Sequence, residues 1–451
     1  MAGKTFDLPF YRNTFFGNVV ALVYSTFIYS SPWLFPFIFV LWSYRKISIP
    51  PSALGVLTYS FIFSAILSGS VLYAILRTLS DFVYSRKVEE IYKNYSGSFL
   101  LAFVVSLMIG LILFRGYPYR NVAVYLFVIL TLMQLSLQFA GIIERNFFII
   151  LSFILGFLPA VIFVETHQGK LNEGEFLIIF SLAISLVVFL INLIISVYFR
   201  TTNRMSFDFM KLIKRYPMLF FMGFFYYLSY WTDNMVAWWA MGEEVTPHVV
   251  IYPEYDFPFF SALLFFVLPM VLLSVSVETR FLRNYLAFLS AIKNNKPLEY
   301  VKIKLKDTQR AMEGVFTRLL TMNALILIVG LLSSDFIGKW LKFSERSVNI
   351  FRMALFGGFF NSLFMFFLIM CLHFEEYMLV FEASVVVFVS NLLLSIFTIR
   401  EVPGLSFFLS FLFGVVFFVL RFNTKNVIFK IYTKQSWKLE KVEKLHWKPR
   451  R

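Results

Sequence analysis

The chain has 451 residues, 59% of them apolar and 15% charged, with 60 phenylalanines, where an ordinary soluble domain carries roughly 25% charged residues. That composition excludes a soluble enzyme and makes lipid the solvent for most of the chain. A formal charge of +15 would point to nucleic acid in a soluble protein, but in a membrane chain it is first a statement about topology.

A helix needs about 20 apolar residues to cross hydrocarbon. Such stretches predict twelve spans, near 17–44, 54–79, 97–114, 121–143, 146–165, 176–199, 217–241, 257–278, 314–334, 351–372, 377–398 and 402–420. The first ends in Tyr44-Arg45-Lys46; it is too long for a signal peptide, has no small-residue cleavage site and reads as a retained span. The seventh and eleventh spans contain Asp233 and Glu382, and each keeps enough apolar residues to insert. Lys and Arg fall unevenly between alternate loops, 29 on the side of the N-terminus and 9 on the other. By the positive-inside rule both termini are cytoplasmic. The loop His373-Phe374-Glu375-Glu376 departs from that rule, since it has no basic residue.

The expected fold is an all-α polytopic membrane protein with about twelve transmembrane helices in two six-helix lobes. Residues 1–200 form the first lobe, 201–216 a cytoplasmic linker, 217–420 the second lobe with an amphipathic cytoplasmic loop at 279–313, and 421–451 a basic cytoplasmic tail. The sequence carries no clear internal repeat, so the division rests on span number and loop length. Two parallel lobes suit a path between them.

Prolines mark where a helical ladder loses a donor. Ser30-Ser31-Pro32-Trp33-Leu34-Phe35-Pro36 is expected to break the first span, and Pro269 the eighth. Such breaks persist where neighbouring helices, hydroxyls or a water-lined cavity satisfy the freed carbonyls. Each ionisable residue at membrane depth carries an energetic cost that raises a functional question. Asp233, sixteen residues after Pro217, lies about 24 Å along its helix at ~1.5 Å per residue; it suits a coupling cation, a sugar hydroxyl, or a polar clamp to a neighbouring helix. Arg77 and Asp81 form an (i, i+4) pair near the cytoplasmic side, and Glu278 closes the eighth span beside Arg280 and Arg283. Trp42, Trp238, Trp239 and Trp340 fall at outer boundaries, where aromatic belts are expected. The outer loop 242–256 holds four acids, Tyr252 and Tyr255, and no Lys or Arg; it reads as an acidic, aromatic patch that would attract a cationic or amino-sugar polymer.

Catalytic and cofactor patterns are missing. There is no G-x-x-x-x-G-K, H-E-x-x-H, C-x-x-C or G-x-S-x-G sequence, no metal-ligand spacing, and a single cysteine, Cys371. Transport driven by the chain's own ATP hydrolysis is excluded, as is a processive synthase, because the largest non-membrane segment, about 35 residues, is too small to form a core alone. His373, at the end of the tenth span, reads as an interface residue rather than a catalytic one.

Several of these stretches together resemble the PelG family, the integral membrane component of the Pel exopolysaccharide machinery. They are Ser31-Pro32-Trp33-Leu34, Thr58-Tyr59-Ser60-Phe61 through Leu67-Ser68-Gly69 with Arg77 and Asp81, Trp231, Asp233 and Trp238, Tyr252-Pro253-Glu254-Tyr255-Asp256, and Val277-Glu278-Thr279-Arg280-Phe281. The motifs lie in the first two thirds of the chain, and Ser70 follows Gly69 where the family pattern leads one to expect proline. The resemblance implies a place among the multidrug/oligosaccharidyl-lipid/polysaccharide flippases in the bacterial inner membrane. It implies export of a hexosamine-rich polymer together with a cytoplasmic glycosyltransferase and a cyclic-di-GMP receptor protein. Arg77, Asp81, Asp233, Tyr252, Tyr255, Asp256 and Glu278 would then be path or conformational residues. Two other readings stand beside it: a scaffold that only anchors the glycosyltransferase, and a lipid-linked oligosaccharide flippase or small-molecule antiporter of the same superfamily. On any of them the charge has an address, since the tail 421–451 and the loop 279–313 account for +13 of the +15. These segments set topology and suit anionic lipid or an acidic partner rather than nucleic acid.

Overall fold

The computed structural model describes residues 15–47, 49–143, 147–166, 171–199 and 205–422. Its helices are α1 (Phe15–Lys46), α2 (Pro51–Tyr84), α3 (Glu89–Leu113), α4 (Arg120–Ala140), α5 (Phe147–Thr166), α6 (Glu173–Tyr198), α7 (Asp208–Arg215) and α8 (Pro217–Met241). A two-stranded antiparallel hairpin follows, β1 (Glu243–Thr246) with β2 (Val249–Ile251). Then come α9 (Pro253–Leu264), α10 (Val267–Ser276), a π-helical turn (Val277–Phe281), α11 (Leu282–Lys293), α12 (Leu298–Leu341), α13 (Glu345–His373), α14 (Tyr377–Thr398) and α15 (Leu405–Arg421). Each of the twelve expected stretches falls largely on one helix, or, for the eighth, on α9, α10 and the π-helical turn. Among the described residues, nine helices are long and apolar enough to cross a membrane; α15, at 17 residues, and the described apolar part of α1, Ser30–Ser43, are shorter. The helix starts carry local signals. Pro51 and Pro217 sit at first positions, where a missing N–H is harmless. Asn172 and Glu175 form a capping box, each side chain bonding the other's backbone N–H at 2.9 Å.

Contacts sort the chain into two compact units, one of Val23–Asp256 with Asn391–Pro403, the other chiefly of Phe257–Ser390 with the chain from Gly404. The expected lobe boundary lay at the 201–216 linker, whereas α8 groups with the helices before it. The reason is local. A Cβ at Gly223 would lie 2.4 Å from the Gly69 carbonyl oxygen, and one at Gly69 would lie 2.2 Å from the Tyr227 ring, so α2 and α8 meet almost backbone to backbone. Within the same unit, polar side chains tie helices that have no hydrophobic effect to drive them together in lipid. Ser68 bonds Gln134, whose Nε2 donates to Ser64 Oγ at 3.1 Å, linking α2 to α4. Tyr95 bonds Asn192 and pairs with Ser136 at 2.9 Å, joining α3, α4 and α6.

The linker is anchored. Asn94, buried on α3, accepts from the Asp208 N–H at 2.9 Å, and Ser206 donates its N–H to the Lys93 carbonyl at 3.0 Å. Lys211, then the Ser206 and Asn94 side chains, hold the Asp208 carboxyl below its usual range. This depressed group contributes stability above the ordinary carboxylate range and loses it as pH falls through the lowered value. Asn94→Ala is expected to release the segment, read as faster proteolysis between 205 and 216 at neutral pH with the global melting temperature little changed.

Proline acts differently at its two expected sites. The helix α1 runs unbroken through Pro32 and Pro36, so the break expected there is not seen; the nearby Ser30 hydroxyl donates to the Thr26 carbonyl at 2.5 Å. In the other unit the helical run does stop, in the turn at Phe265–Phe266, where the bonds tighten to i→i−3; Pro269 follows in the first turn of α10 and is buried. The helical run does not end at Glu278 as expected: the π-helical turn carries it on into α11. The segment 279–313 is therefore no loop, since α11 packs against the N-terminal part of α12 as a helical hairpin. The tenth and eleventh spans are separate helices joined by Phe374, Glu375 and Glu376, with Glu375 left-handed at φ 59°.

Candidate functional site

The densest buried polar group lies where α8 meets the start of α9, within one unit. Asp233 is fully buried, as are Ser229 and Asn391, and Asn234 is 1% exposed. The sequence Tyr252-Pro253-Glu254-Tyr255-Asp256, expected as an outer-loop patch, is instead the N-cap and first turn of α9, because Pro253 suits a first helical position and Tyr252 accepts the first backbone bonds, from Tyr255 and Asp256 at 2.9 Å each. That turn points two expected surface residues inward. Tyr255 is fully buried and donates to Asp233 Oδ2. Asp256 is half-buried and accepts from Asn234 Nδ2 at 2.8 Å, from Trp238 Nε1 at 2.8 Å and from the Tyr252 N–H at 3.3 Å. Only Tyr252 and Glu254 keep to the exposed side, paired at 3.0 Å.

Three further elements hold this group. The Trp238 indole, read from sequence as part of an outer belt, is 4% exposed and stacks on Tyr59 of α2 with ring centroids 4.7 Å apart and planes 16° apart. The Tyr59 hydroxyl accepts the Val250 N–H at 3.0 Å, fixing the hairpin against α2, where the Val249, Ile251 and Val245 side chains lie around Gly55. From α14, Asn391 donates to the Ser229 carbonyl at 2.7 Å and accepts from Ser395 at 3.0 Å, one helical turn before Asp233. Two acceptors in the middle, Asp233 Oδ1 and Asn234 Oδ1, have no hydrogen-bond partner among the described residues. Among the described residues no Lys, Arg or His is hydrogen-bonded or ion-paired to either carboxylate, which is unusual for a buried acid such as Asp233. One spare carboxyl oxygen and one spare amide oxygen beside a second carboxyl and aromatic walls can take a cation, a proton or a hydroxyl-rich ligand.

The other expected residues lie elsewhere. Arg77 and Asp81 form their pair at 3.5 Å near the end of α2, both substantially exposed. Glu278 sits on the π-helical turn, in the other compact unit. Glu382 pairs with Arg421 at 3.2 Å. His373 is fixed by its Nδ1 bond to the Ile369 carbonyl at 2.8 Å and lies edge-on to Phe281, a packing role. Among the described residues no group of three or more His, Cys, Asp or Glu could hold a metal ion. Sequence reasoning missed Asn234, Tyr59 and Asn391. Asn391 in a charge-free span was a visible signal, since a buried amide in lipid needs a partner.

The fold is similar to that of MATE transporters of the MOP superfamily. An outward-facing multidrug-resistance MATE transporter of the MOP superfamily aligns over 90% of this chain and 96% of its own, with a TM-score of 0.61 at 12% identity. The eukaryotic MATE transporter AtDTX14 aligns over 92% and 97%, with TM-score 0.60 and 12% identity. A MOP-superfamily transporter from Pyrococcus furiosus aligns over 90% and 96%, with TM-score 0.57 and 13% identity. Among curated proteins no sequence matches. The chain is thus a multi-pass membrane transporter. It belongs to the PelG family, whose model is described as "Putative exopolysaccharide Exporter (EPS-E)" and matches residues 1–433.

Proposed function

We propose that this chain carries a hexosamine-rich exopolysaccharide, Pel-like in composition, outward across the bacterial inner membrane, with both termini in the cytoplasm. It works beside a cytoplasmic glycosyltransferase that makes the polymer and a cyclic-di-GMP receptor protein, and its basic tail, which lies outside the described residues, rests on anionic lipid. The family match over nearly the whole chain supports the substrate class. The observation that carries the mechanism is the Asp233–Tyr255 and Asp256–Asn234–Trp238 group, which has acceptors to spare and, among the described residues, no basic partner. An amino-sugar polymer carries donors and positive charge, the complement of that group. Its hydroxyls and amines would be handed along such acceptors, while flat aromatic faces such as the Tyr59–Trp238 stack offer apolar sugar faces a partner. Arg77, Asp81, Tyr252 and Glu278 are proposed as conformational residues at the helix ends. Two helical lobes are the frame we propose for an alternating motion.

The test is Asp233→Asn. It keeps the shape and one acceptor but removes the ionisable group. External polymer is expected to fall roughly tenfold or more, the scale of losing one charged hydrogen bond of about 1.5–3 kcal/mol, at unchanged membrane level of the protein. Undiminished polymer from Asp233→Asn, and from the double variant Asp233→Ala with Glu278→Ala, would remove the assigned roles.

A further inference from the structure

We infer that the hairpin of α11 and the first third of α12 is a docking surface for a cytosolic protein that presents an apolar cleft rimmed by Asp and Glu. The inference rests on the inside-facing topology proposed above and not on the identity of the polymer. The helix α12 has 44 residues, about 66 Å at ~1.5 Å per residue, roughly twice the hydrocarbon thickness of ~30 Å. Its expected span begins near residue 314, so the part of the helix before it extends beyond the hydrocarbon. Ile303, eleven residues earlier, is about 16 Å away along the axis, and about 13 Å even at a strong 40° tilt, deeper into water than the headgroup layer reaches.

Yet the outward face of this projecting segment is not wholly polar. Ile303 is 56% exposed, and Leu298 (55%) and Tyr300 (45%) flank it. Exposed apolar side chains on α12 beyond Arg318, such as Leu332 at 81%, have lipid to cover them; these three do not. The same face carries Lys302, Lys306 and Arg310, all exposed and without an ion-pair partner among the described residues, while the opposite face, with Val301 and Thr308, is buried. Lys304, by contrast, is occupied, paired with Asp307 at 3.1 Å and lying over the Tyr300 ring at 5.6 Å. Three unpaired cations beside exposed apolar side chains form the pattern of an interface with a charged rim.

Charge selects the occupant. The segment 279–313 carries eight basic and three acidic residues, which disfavours a second copy of the same hairpin. The chain's own tail is excluded on the same ground, with ten basic and two acidic residues. Nucleic acid would set phosphates against Leu298 and Ile303. An acidic protein with an apolar cleft satisfies both features.

The test places the photo-crosslinker p-benzoylphenylalanine at position 303 of the full chain in cells, with position 332 as the lipid-facing control. The expected result is a polypeptide adduct at 303 and none at 332, mapped by mass spectrometry to an Asp/Glu-rich contact peptide. Reversing the charges with Lys302→Glu, Lys306→Glu and Arg310→Glu should cut that adduct roughly tenfold, as like charges now face each other. All three positions are exposed, so the variant's membrane level and melting temperature should not change. An adduct to lipid, RNA or a second copy overturns the inference. So does no adduct, an adduct insensitive to charge reversal, or labelling of Ile303→Cys from outside the cell by an impermeant maleimide. The readout does not depend on polymer, so its failure leaves the export reading standing, and normal adducts in an export-dead Asp233→Asn protein leave the docking surface standing.

Discussion

Asp256→Ala is expected to lower the melting temperature of the detergent-solubilised protein sharply and to abolish export. The carboxylate of Asp256 is the shared acceptor for Asn234 Nδ2, Trp238 Nε1 and the Tyr252 N–H. Removing it strands two nearly fully buried side-chain donors, at about 1–3 kcal/mol for each group left unsatisfied and so roughly 2–6 kcal/mol for the two, together with the Tyr252 backbone N–H. The consequence spreads beyond the site. Trp238 would lose the bond that holds it flat on Tyr59, and Tyr59 in turn positions the β1–β2 hairpin through Val250. Asp256→Asn keeps one carbonyl acceptor and should fall between the two proteins. Equal melting temperatures for wild type and Asp256→Ala, measured calorimetrically, would show that the group is not a structural unit.

Gly223→Val should have an effect of similar size by a different route. The new Cβ would overlap the Gly69 carbonyl oxygen, a backbone atom that cannot rotate away, and would crowd Tyr73 at 3.2 Å. Overpacking of ordinary core costs about 1–3 kcal/mol; here the only relief is separation of α2 from α8. That movement would also break the Tyr59–Trp238 stack and carry Asp233 away from its surroundings. A marked loss of folded protein in membranes is expected, whereas Gly314→Ala, whose Cβ meets nothing within 4 Å, should be neutral or slightly stabilising because alanine is the better helix former. A Gly223→Val protein as stable as Gly314→Ala would contradict the close approach.

The helices were legible because lipid imposes a simple rule: a charge-free stretch of sufficient length must be helical. The break before Pro269 follows from local chemistry as well. The site was legible in part. Asp233, Tyr255 and Asp256 stood out as polar residues in apolar surroundings, but their union did not. Residues 242–256 hold four acids and no base, which reads as a solvated loop. Nothing local says that Pro253 starts a helix whose first turn faces α8. Trp238 looked like a belt residue for the same reason: burial of one side of a helix end depends on what packs there, and Tyr59 comes from 179 residues earlier in the chain. The two hidden helical features, the π-helical turn at Val277–Phe281 and the α11–α12 hairpin, carry charges that a hydropathy rule assigns to loops, although Lys and Arg are good helix formers in water.

The most direct measurement is the partition of newly made polymer across the membrane in cells that keep the polymer-synthesising enzymes and receive this chain either intact or deleted. Extracellular and intracellular hexosamine polymer are quantified separately after pulse labelling. If the chain is the exporter, polymer appears outside with the intact chain, and on deletion the external pool vanishes while the synthase, assayed in the same lysates, stays active. External polymer at the intact level without the chain, or loss of synthase activity as the whole cause of its disappearance, would contradict the account.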